Sequence, residues 1–288
     1  MSSVSVVIPN RDGGELLARC LDALAAADGV GDVIVVDDGS SDGSPELARA
    51  RGAAVMASPG RGFAAAVNHG VAHTRSELVL ILNSDAFVEP DAPVRLARAL
   101  DSDPRLALCA AGLVDERGRR TRSHGHELTL IRAIGLALHV STPPPPEAPP
   151  LQVVGFVPLA CAVVRTAAWR EVGGLDERFR FYFEDHDLCW RLRRAGSTVA
   201  VCWAAHAIHE GGGSSRARDA AAWMRQFHES RLRYLRKRYS GLWPAYVTVS
   251  TPAALAHAGL WWLRAARGRP EGRAWAAAYA RAAVAGLR

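Results

Sequence analysis

Short, mostly apolar runs at residues 4–8, 33–36, 53–57, 78–82 and 106–110 punctuate the first part of the chain. Runs of four or five such residues predict strands buried on both faces. Between them, Leu16, Leu17, Cys20, Leu21 and Leu24 recur at helical spacing. Further helices are predicted from Pro45, with Ser44 as N-cap, and over 63–73 and 93–100. Strands alternating with helices at this spacing predict an α/β fold, a doubly wound and mostly parallel sheet with right-handed crossovers. In such sheets ligands bind beyond the carboxyl ends of the strands. That rule singles out 9–11, 37–40, 58–62 and 83–85, all on one rim. The later chain is less regular. Residues 142–150 hold six prolines in nine positions and predict an extended loop inside one domain. A strand is predicted over 159–164, a helix over 183–195 with Gly196 just past its end, and a long basic helix over 217–239. Residues 240–263 carry no formal charge for 24 positions, but Pro244, Pro252 and His257 interrupt them. This pattern favours an interfacial amphipathic helix around 253–267, or a helix packed on the body, over a membrane span.

Charge divides the chain in the same way. The total is +6, yet residues 211–288 hold 14 Lys/Arg against 3 Asp/Glu, while the first 210 hold 21 against 26. A mildly acidic body therefore carries a strongly basic C-terminal quarter. A nucleic-acid reader is a poor fit, because no reader motif is present and the acid-rich strand ends would repel phosphate. Five scattered cysteines without a C-x-x-C pair predict neither a zinc knuckle nor a disulfide framework, and suit a reducing cytoplasm. The start of the chain enters a strand pattern with no basic region or cleavage site, so no secretory signal is predicted.

Four constellations carry chemistry. Asp37-Asp38-Gly39-Ser40-Ser41-Asp42-Gly43-Ser44 ends the second strand. Its residue types make turns and caps, and a carboxylate there, Asp38, can also accept from a ribose or a base. Gly60-Arg61-Gly62-Phe63-Ala64-Ala65 has the form G-x-G-x-x-A, but it follows the third strand and not the first, which argues against a nicotinamide dehydrogenase. Close backbone approach at Gly62 still suits a nucleotide diphosphate. Asn83-Ser84-Asp85 closes the fourth strand, where a carboxylate suits a hard divalent cation shared with phosphate oxygens. Phe181-Tyr182-Phe183-Glu184-Asp185-His186-Asp187 sets three acids beside aromatics at a helix start. Acids there either complement the helix dipole or supply a general base. Downstream, His209 adjoins a glycine run and is either a metal ligand or a structural histidine.

Together these motifs resemble the inverting, nucleotide-sugar-dependent glycosyltransferases of family 2, which have the GT-A fold. The resemblance runs from about Val4 to Tyr239. It implies a catalytic domain over 1–215, with a nucleotide-sugar-binding half at 1–113 and an acceptor half at 114–215, and a basic helical extension at 216–288. Within that family the position of Asp38 contacts the nucleobase, Asn83-Ser84-Asp85 stands at the D-x-D metal motif, and Asp185 is the catalytic base. Gly173-Gly-Leu-Asp-Glu-Arg-Phe followed by Glu184-Asp185 is the most specific match. His209 with Ser214 resembles a late element whose histidine completes the metal site. The resemblance thus implies donor binding by Pro9, Arg11, Asp38, Gly62, Asn83 and Asp85, acceptor binding by Glu184 and Asp187, and Mg²⁺ or Mn²⁺ on Asp85 and His209. Asn83 in place of the first acid resembles the rhamnosyltransferase branch, and the absent Q-x-x-R-W motif implies addition of a single sugar. The implied partners are a nucleoside diphosphate sugar and a saccharide or lipid-linked acceptor. The basic extension would hold the enzyme at the inner face of an anionic membrane. The rival enzymatic reading is a nucleotidyltransferase, which should show a glycine- and lysine-rich loop after the first strand, where Pro9-Asn-Arg-Asp-Gly-Gly stands. An inactive sugar-nucleotide-binding homologue is the other alternative.

Overall fold

The computed structural model describes residues 3–58, 62–121, 124–138, 140, 143, 146, 150–179, 181–210, 220–268 and 271–287. The chain divides into two compact units. The first comprises residues 1–127, 144–180 and 184–214, and the second 128–143, 181–183 and 215–288.

The first unit is built on one nine-stranded sheet. Its strands are β1 (Val4–Asn10), β2 (Val30–Asp37), β3 (Ala54–Ala57), β4 (Leu78–Leu82), β5 (Ala86–Val88), β6 (Leu106–Val114), β7 (Leu151–Val153), β8 (Cys161–Arg165) and β9 (Thr198–His209). The order is β3-β2-β1-β4-β8-β6-β9-β5, with β7 also paired to β9. The first four strands are mutually parallel, β8 is antiparallel to both β4 and β6, and β6 is parallel to β9. Six of the nine strands therefore point one way, and only β5, β7 and β8 run against them.

Central strands are buried on both faces, as continuous apolar runs require. Along β4, Leu78, Leu80 and Leu82 enter one core while Val79 and Ile81 enter the other. The first core is covered by α1 (Gly14–Ala25), α2 (Ser44–Ala50) and α4 (Ala92–Ser102). The second is covered by α3 (Phe63–Ala72), α6 (Thr166–Glu171) and α7 (Glu184–Arg194). All five cysteines are buried free thiols, and burial pushes Cys161 and Cys189 up to about 12. They pack within the two cores.

Two close contacts fix local geometry. Gly174 has φ +67°, and a Cβ there would lie 2.6 Å from Asn68 Oδ1. That asparagine both donates to the Leu175 carbonyl and accepts from its amide, each at 2.8 Å, so the Gly-Gly-Leu turn is locked onto α3. Ser44 is the first residue of α2 and not its cap. Gly43, at φ 82°, occupies the cap, and the Ser44 hydroxyl instead accepts from the Gly14 amide at 3.1 Å.

The second unit is helical: α5 (Leu130–Ala137), α8 (Ala220–Arg238), α9 (Trp243–Ala266) and α10 (Glu271–Leu287). Residues 128–143 belong to this unit and not to the first, because α5 packs on α9. Helices α9 and α10 form a tight hairpin, in which Gly272 leaves room for the backbone of Trp261 and Ala265 and Trp261 stacks on Trp275. Among the described residues no helix is long and apolar enough to cross a membrane. The proline-rich stretch 142–150 lies outside the described residues except for Pro143, Pro146 and Pro150.

Candidate active site

Parallel pairing sets the carboxyl ends of β2, β1 and β4 side by side on one edge. The register Pro9↔Val36 and Val7↔Ile81 sets Pro9 level with Val36 and Asn83, and Asp38 follows two residues beyond Val36 on the same edge. Two strand spacings, about 10 Å, separate the ends of β2 and β4.

At the first of these ends, side chains sew two loops together. Asn10, which is buried, donates to Asp37 Oδ1 at 3.3 Å and to Ser40 Oγ at 3.2 Å. Asp37 also accepts from the amides of Gly39 and Ser40, and Asp12, at φ 49°, accepts from the Ser41 amide at 2.7 Å. Asp42 takes the Ser44 amide and hydroxyl, and these hydrogen bonds hold its carboxyl below the usual range against a desolvation that pushes it up. Turn chemistry thus consumes Asp37, Asp12 and Asp42. Asp38 is the acid left over. Its amide is tied to the Asn10 carbonyl at 2.8 Å, while its buried Oδ1 has no hydrogen-bond partner among the described residues. An unmet acceptor on the ligand-binding edge suits a donor such as a base N–H. Pro9 is half-buried beside it and Arg11 is exposed. Gly62 caps α3 with φ 92° and ψ −171°, a conformation essentially reserved for glycine, while Gly60 and Arg61 lie outside the described residues.

At the end of β4, a tight turn carries the Ala86 amide to the Asn83 carbonyl at 3.1 Å and places Asp85 at its corner. Strand β9 then delivers a histidine, because β5 pairs with β9 in the register Ala86↔His209. His209 Nε2 lies 3.3 Å from Asp85 Oδ1 and 3.4 Å from Asn83 Nδ2. The Glu210 amide donates to the Asp85 carbonyl at 3.2 Å, and Glu210 itself is paired with Arg19. Two ligand atoms at adjacent corners around one divalent ion stand about 3 Å apart when each bond is about 2.1 Å. Asp85 and His209 fit such an ion. No group of three His, Cys, Asp or Glu converges among the described residues, so an ion at this corner would need further ligands such as phosphate oxygens and water. Ser214 and the glycine run lie outside the described residues.

The third part is the start of α7. Tyr182 and Phe183 both have positive φ, 68° and 70°, immediately before Glu184. Left-handed backbone at two consecutive aromatics costs energy and collects at functional sites. Phe183 is held against Phe227 and Tyr234 of α8, and Ser230 Oγ donates to the Phe181 carbonyl at 2.9 Å. Asp185 is half-buried, and its Oδ1 accepts from the His186 amide at 2.7 Å. His186 stacks on Phe156 at 3.6 Å. The same loop continues to Ala160, whose carbonyl accepts from the Asn83 amide at 2.9 Å, so one short segment touches both the α7 start and the Asp85 corner.

The two carboxyls expected at the acceptor are buried. Asp187 has no exposed surface and its Oδ2 lies 2.7 Å from Arg191 Nε, with Arg191 also donating to the Val172 carbonyl at 2.6 Å. A carboxylate enclosed in that pair anchors α7 and reaches no acceptor. Glu184 is 6% exposed, and its Oε2 has no hydrogen-bond partner among the described residues. Burial, reinforced by the Asp185 charge, pushes its carboxyl well above the usual range. Such an acid favours the folded state only while protonated. Its contribution is complete below the unfolded carboxylate range and is lost as pH rises through the elevated folded value. Glu184→Gln is therefore expected to raise the melting temperature at neutral pH and to flatten its dependence on pH above the ordinary carboxylate range. Equal pH profiles for the two proteins would contradict this.

The sequence placed Asn10 on the rim within 9–11, but its bonds to Asp37 and Ser40 appear only in the fold. The sequence motifs passed over Phe156 and the Arg19–Glu210 pair, which come together only through the fold.

Comparison with known proteins agrees with this geometry. Residues 5–163, over half of the chain, match the family described as Glycosyl transferase family 2. An N-acetylglucosaminyl-diphospho-decaprenol L-rhamnosyltransferase of Mycobacterium tuberculosis is 29% identical over 244 residues, covering 74% of this chain and 77% of the relative. A pre-mycofactocin glycosyltransferase of the same organism is 35% identical over 203 residues, covering 68% of this chain but only 40% of that protein. A mannosyltransferase from Pyrobaculum calidifontis, solved with GDP-Man and Mn²⁺, superposes with a TM-score of 0.59 at 18% identity, covering 99% of this chain and 85% of its own. The strand edge, the family match and the shared fold converge: the chain belongs to glycosyl transferase family 2 and is a glycosyltransferase with the GT-A fold.

Proposed function

We propose that the protein transfers one sugar from a nucleoside diphosphate donor to a hydroxyl of a saccharide or lipid-linked acceptor, with inversion at the anomeric carbon. The meeting of Asp85, His209 and Asn83 at the carboxyl edge carries this reading, with the unmet Asp38 oxygen on the same edge. The base lies at Asp38 and the diphosphate at Asp85. A Mg²⁺ or Mn²⁺ ion held by Asp85 and His209 would act as a Lewis acid toward the leaving diphosphate.

The chain's own groups do the rest. Asp185 accepts the proton of the acceptor hydroxyl as that oxygen bonds to the anomeric carbon. The bond from that carbon to the diphosphate oxygen breaks, and its electron pair leaves with the diphosphate. Burial, reinforced by the Asp185 charge, pushes the neighbouring Glu184 carboxyl well above the usual range, and Glu184 is enclosed whereas Asp185 is only half-buried. A single displacement inverts the configuration. The rhamnosyltransferase relative, whose name gives a diphospho-decaprenol acceptor, supports a lipid-linked acceptor, and the reaction would serve cell-surface polysaccharide or glycolipid assembly.

The helical unit supports peripheral attachment to a membrane from the cytoplasmic side. Of the large apolar side chains exposed among the described residues, all but Val153 belong to this unit, Ile131, Val140 and Trp262 most strongly. By sequence the same unit holds 15 Lys/Arg against 3 Asp/Glu.

A panel of nucleoside diphosphate sugars incubated with an isoprenoid diphosphate saccharide tests the reaction. We expect one sugar added per acceptor, with an anomeric proton coupling opposite in configuration to that of the donor. A product that retained the donor configuration would rule out direct displacement, and transfer of the nucleotidyl group would establish the nucleotidyltransferase alternative.

A further inference from the structure

The helical unit contains a buried cation that its described residues do not neutralise. Arg231 of α8 is 8% exposed, its Nε is shut off from solvent, and it makes no hydrogen bond or ion pair among the described residues. Within this unit the only acid among the described side chains is Glu229, which is exposed. Isolated buried charge is strongly disfavoured, and buried guanidinium groups are ordinarily paired or bonded to carbonyls. Among the described residues Arg231 has neither, an arrangement that an apolar side chain would fill at lower cost.

The surroundings are polar and mostly hydrogen-bond donors. His228 lies one helical turn before Arg231 on the same face, and it is likewise buried. Its ring centroid is 5.6 Å from that of Tyr279 on α10, which stacks on His257 of α9 at 5.3 Å. Burial pushes the Tyr279 phenol up while the Arg231 charge pulls it down, so the guanidinium and the phenol share one electrostatic environment. Three helices thus bring an arginine, two histidines and a phenol to one place in a unit rich in positive charge.

We propose that Arg231, with His228, His257 and Tyr279, forms an anion-binding site inside the helical unit that takes a phosphoryl group. A planar guanidinium offers a fork of donors that matches phosphate oxygens, and histidine and tyrosine add directional bonds. The site is made from residues of the helical unit alone and does not depend on the transferase reading. Its phosphoryl group comes either from a soluble phosphate or from a lipid headgroup.

The test uses the full chain in EDTA, with inorganic pyrophosphate as one probe and phosphatidylcholine vesicles with or without phosphatidic acid as the other. Pyrophosphate at a hundredfold excess over its dissociation constant should raise the melting temperature of the wild type by about 5 °C. Asp85→Ala should respond equally, because no divalent ion takes part. Arg231→Met should weaken binding about 10- to 100-fold, as loss of hydrogen bonds to a charged group does, and Arg231→Lys should fall between. Without ligand, Arg231→Met should be at least as stable as the wild type, since it removes an unpaired buried charge. Response to pyrophosphate assigns a soluble phosphate; Arg231-dependent binding confined to phosphatidic acid vesicles assigns a headgroup. Absence of response to both probes would overturn the proposal, as would binding unchanged in Arg231→Met. An unliganded Arg231→Met that melted well below the wild type, or failed to fold, would make Arg231 a packing residue and overturn it equally.

Discussion

Asp185→Asn is expected to lower turnover by about 10²–10⁴-fold while leaving the affinity for the nucleotide sugar unchanged. The amide matches the carboxylate in shape and still accepts from the His186 amide, so the start of α7 keeps its bond. What it loses is the capacity to take a proton as the acceptor oxygen attacks. Glu184 is a poor substitute, because it is buried and that burial pushes its carboxyl well above the usual range. Steady-state kinetics should show kcat falling with KM for the donor held constant, the sign of an interaction made only in the transition state. Near-normal turnover in Asp185→Asn would show that another group is the base.

The second large effect concerns stability. Arg191→Met should destabilise the protein by about 3–5 kcal/mol, because it strips the partner from a carboxylate that has no contact with water. The same change frees the Val172 carbonyl, which Arg191 holds beside the Gly173-Gly174 turn. Replacing the pair together, Asp187→Leu with Arg191→Met, should recover much of that loss, since an apolar pair carries no desolvation penalty. Urea denaturation of the two variants measures the difference. A single variant as stable as the wild type would show that the buried pair does not anchor α7.

These predictions also mark how far the sequence could be read. Strands buried on both faces advertise themselves as continuous apolar runs, so β1, β2, β3, β4 and β6 were legible, with β4 matching residue for residue. Strand β9 was not. Its twelve residues include polar and small side chains and a bulge, where pairing moves from Ala111↔Cys202 to Gly112↔His206. That bulged strand delivers His209 to Asp85, so the histidine could be named from sequence but its neighbour could not. Helix α5 was missed because eight residues give little periodicity, and its partner α9 lies over a hundred positions later.

The acids at the strand ends show a second limit. Composition cannot say which member of Asp37, Asp38 and Asp42 is spent on a turn; the hydrogen bonds can, and they leave Asp38. At the start of α7 the same ambiguity resolves by burial. Glu184 and Asp187 face inward, a direction set by which side of the helix meets β9, and Asp185 falls between them.

At the centre of the proposed function, the edge holding Asp38, Asp85 and His209 is a metal-assisted site for a nucleoside diphosphate sugar. Thermal unfolding across a panel of such donors, with and without Mn²⁺, measures this most directly. At a hundredfold excess over the dissociation constant, the cognate donor with Mn²⁺ should stabilise the wild type by about 2.7 kcal/mol. That gain should shrink when EDTA replaces the metal and vanish in Asp85→Ala. Stabilisation that was the same in Asp85→Ala, or no stabilisation by any nucleoside diphosphate, would contradict the claim.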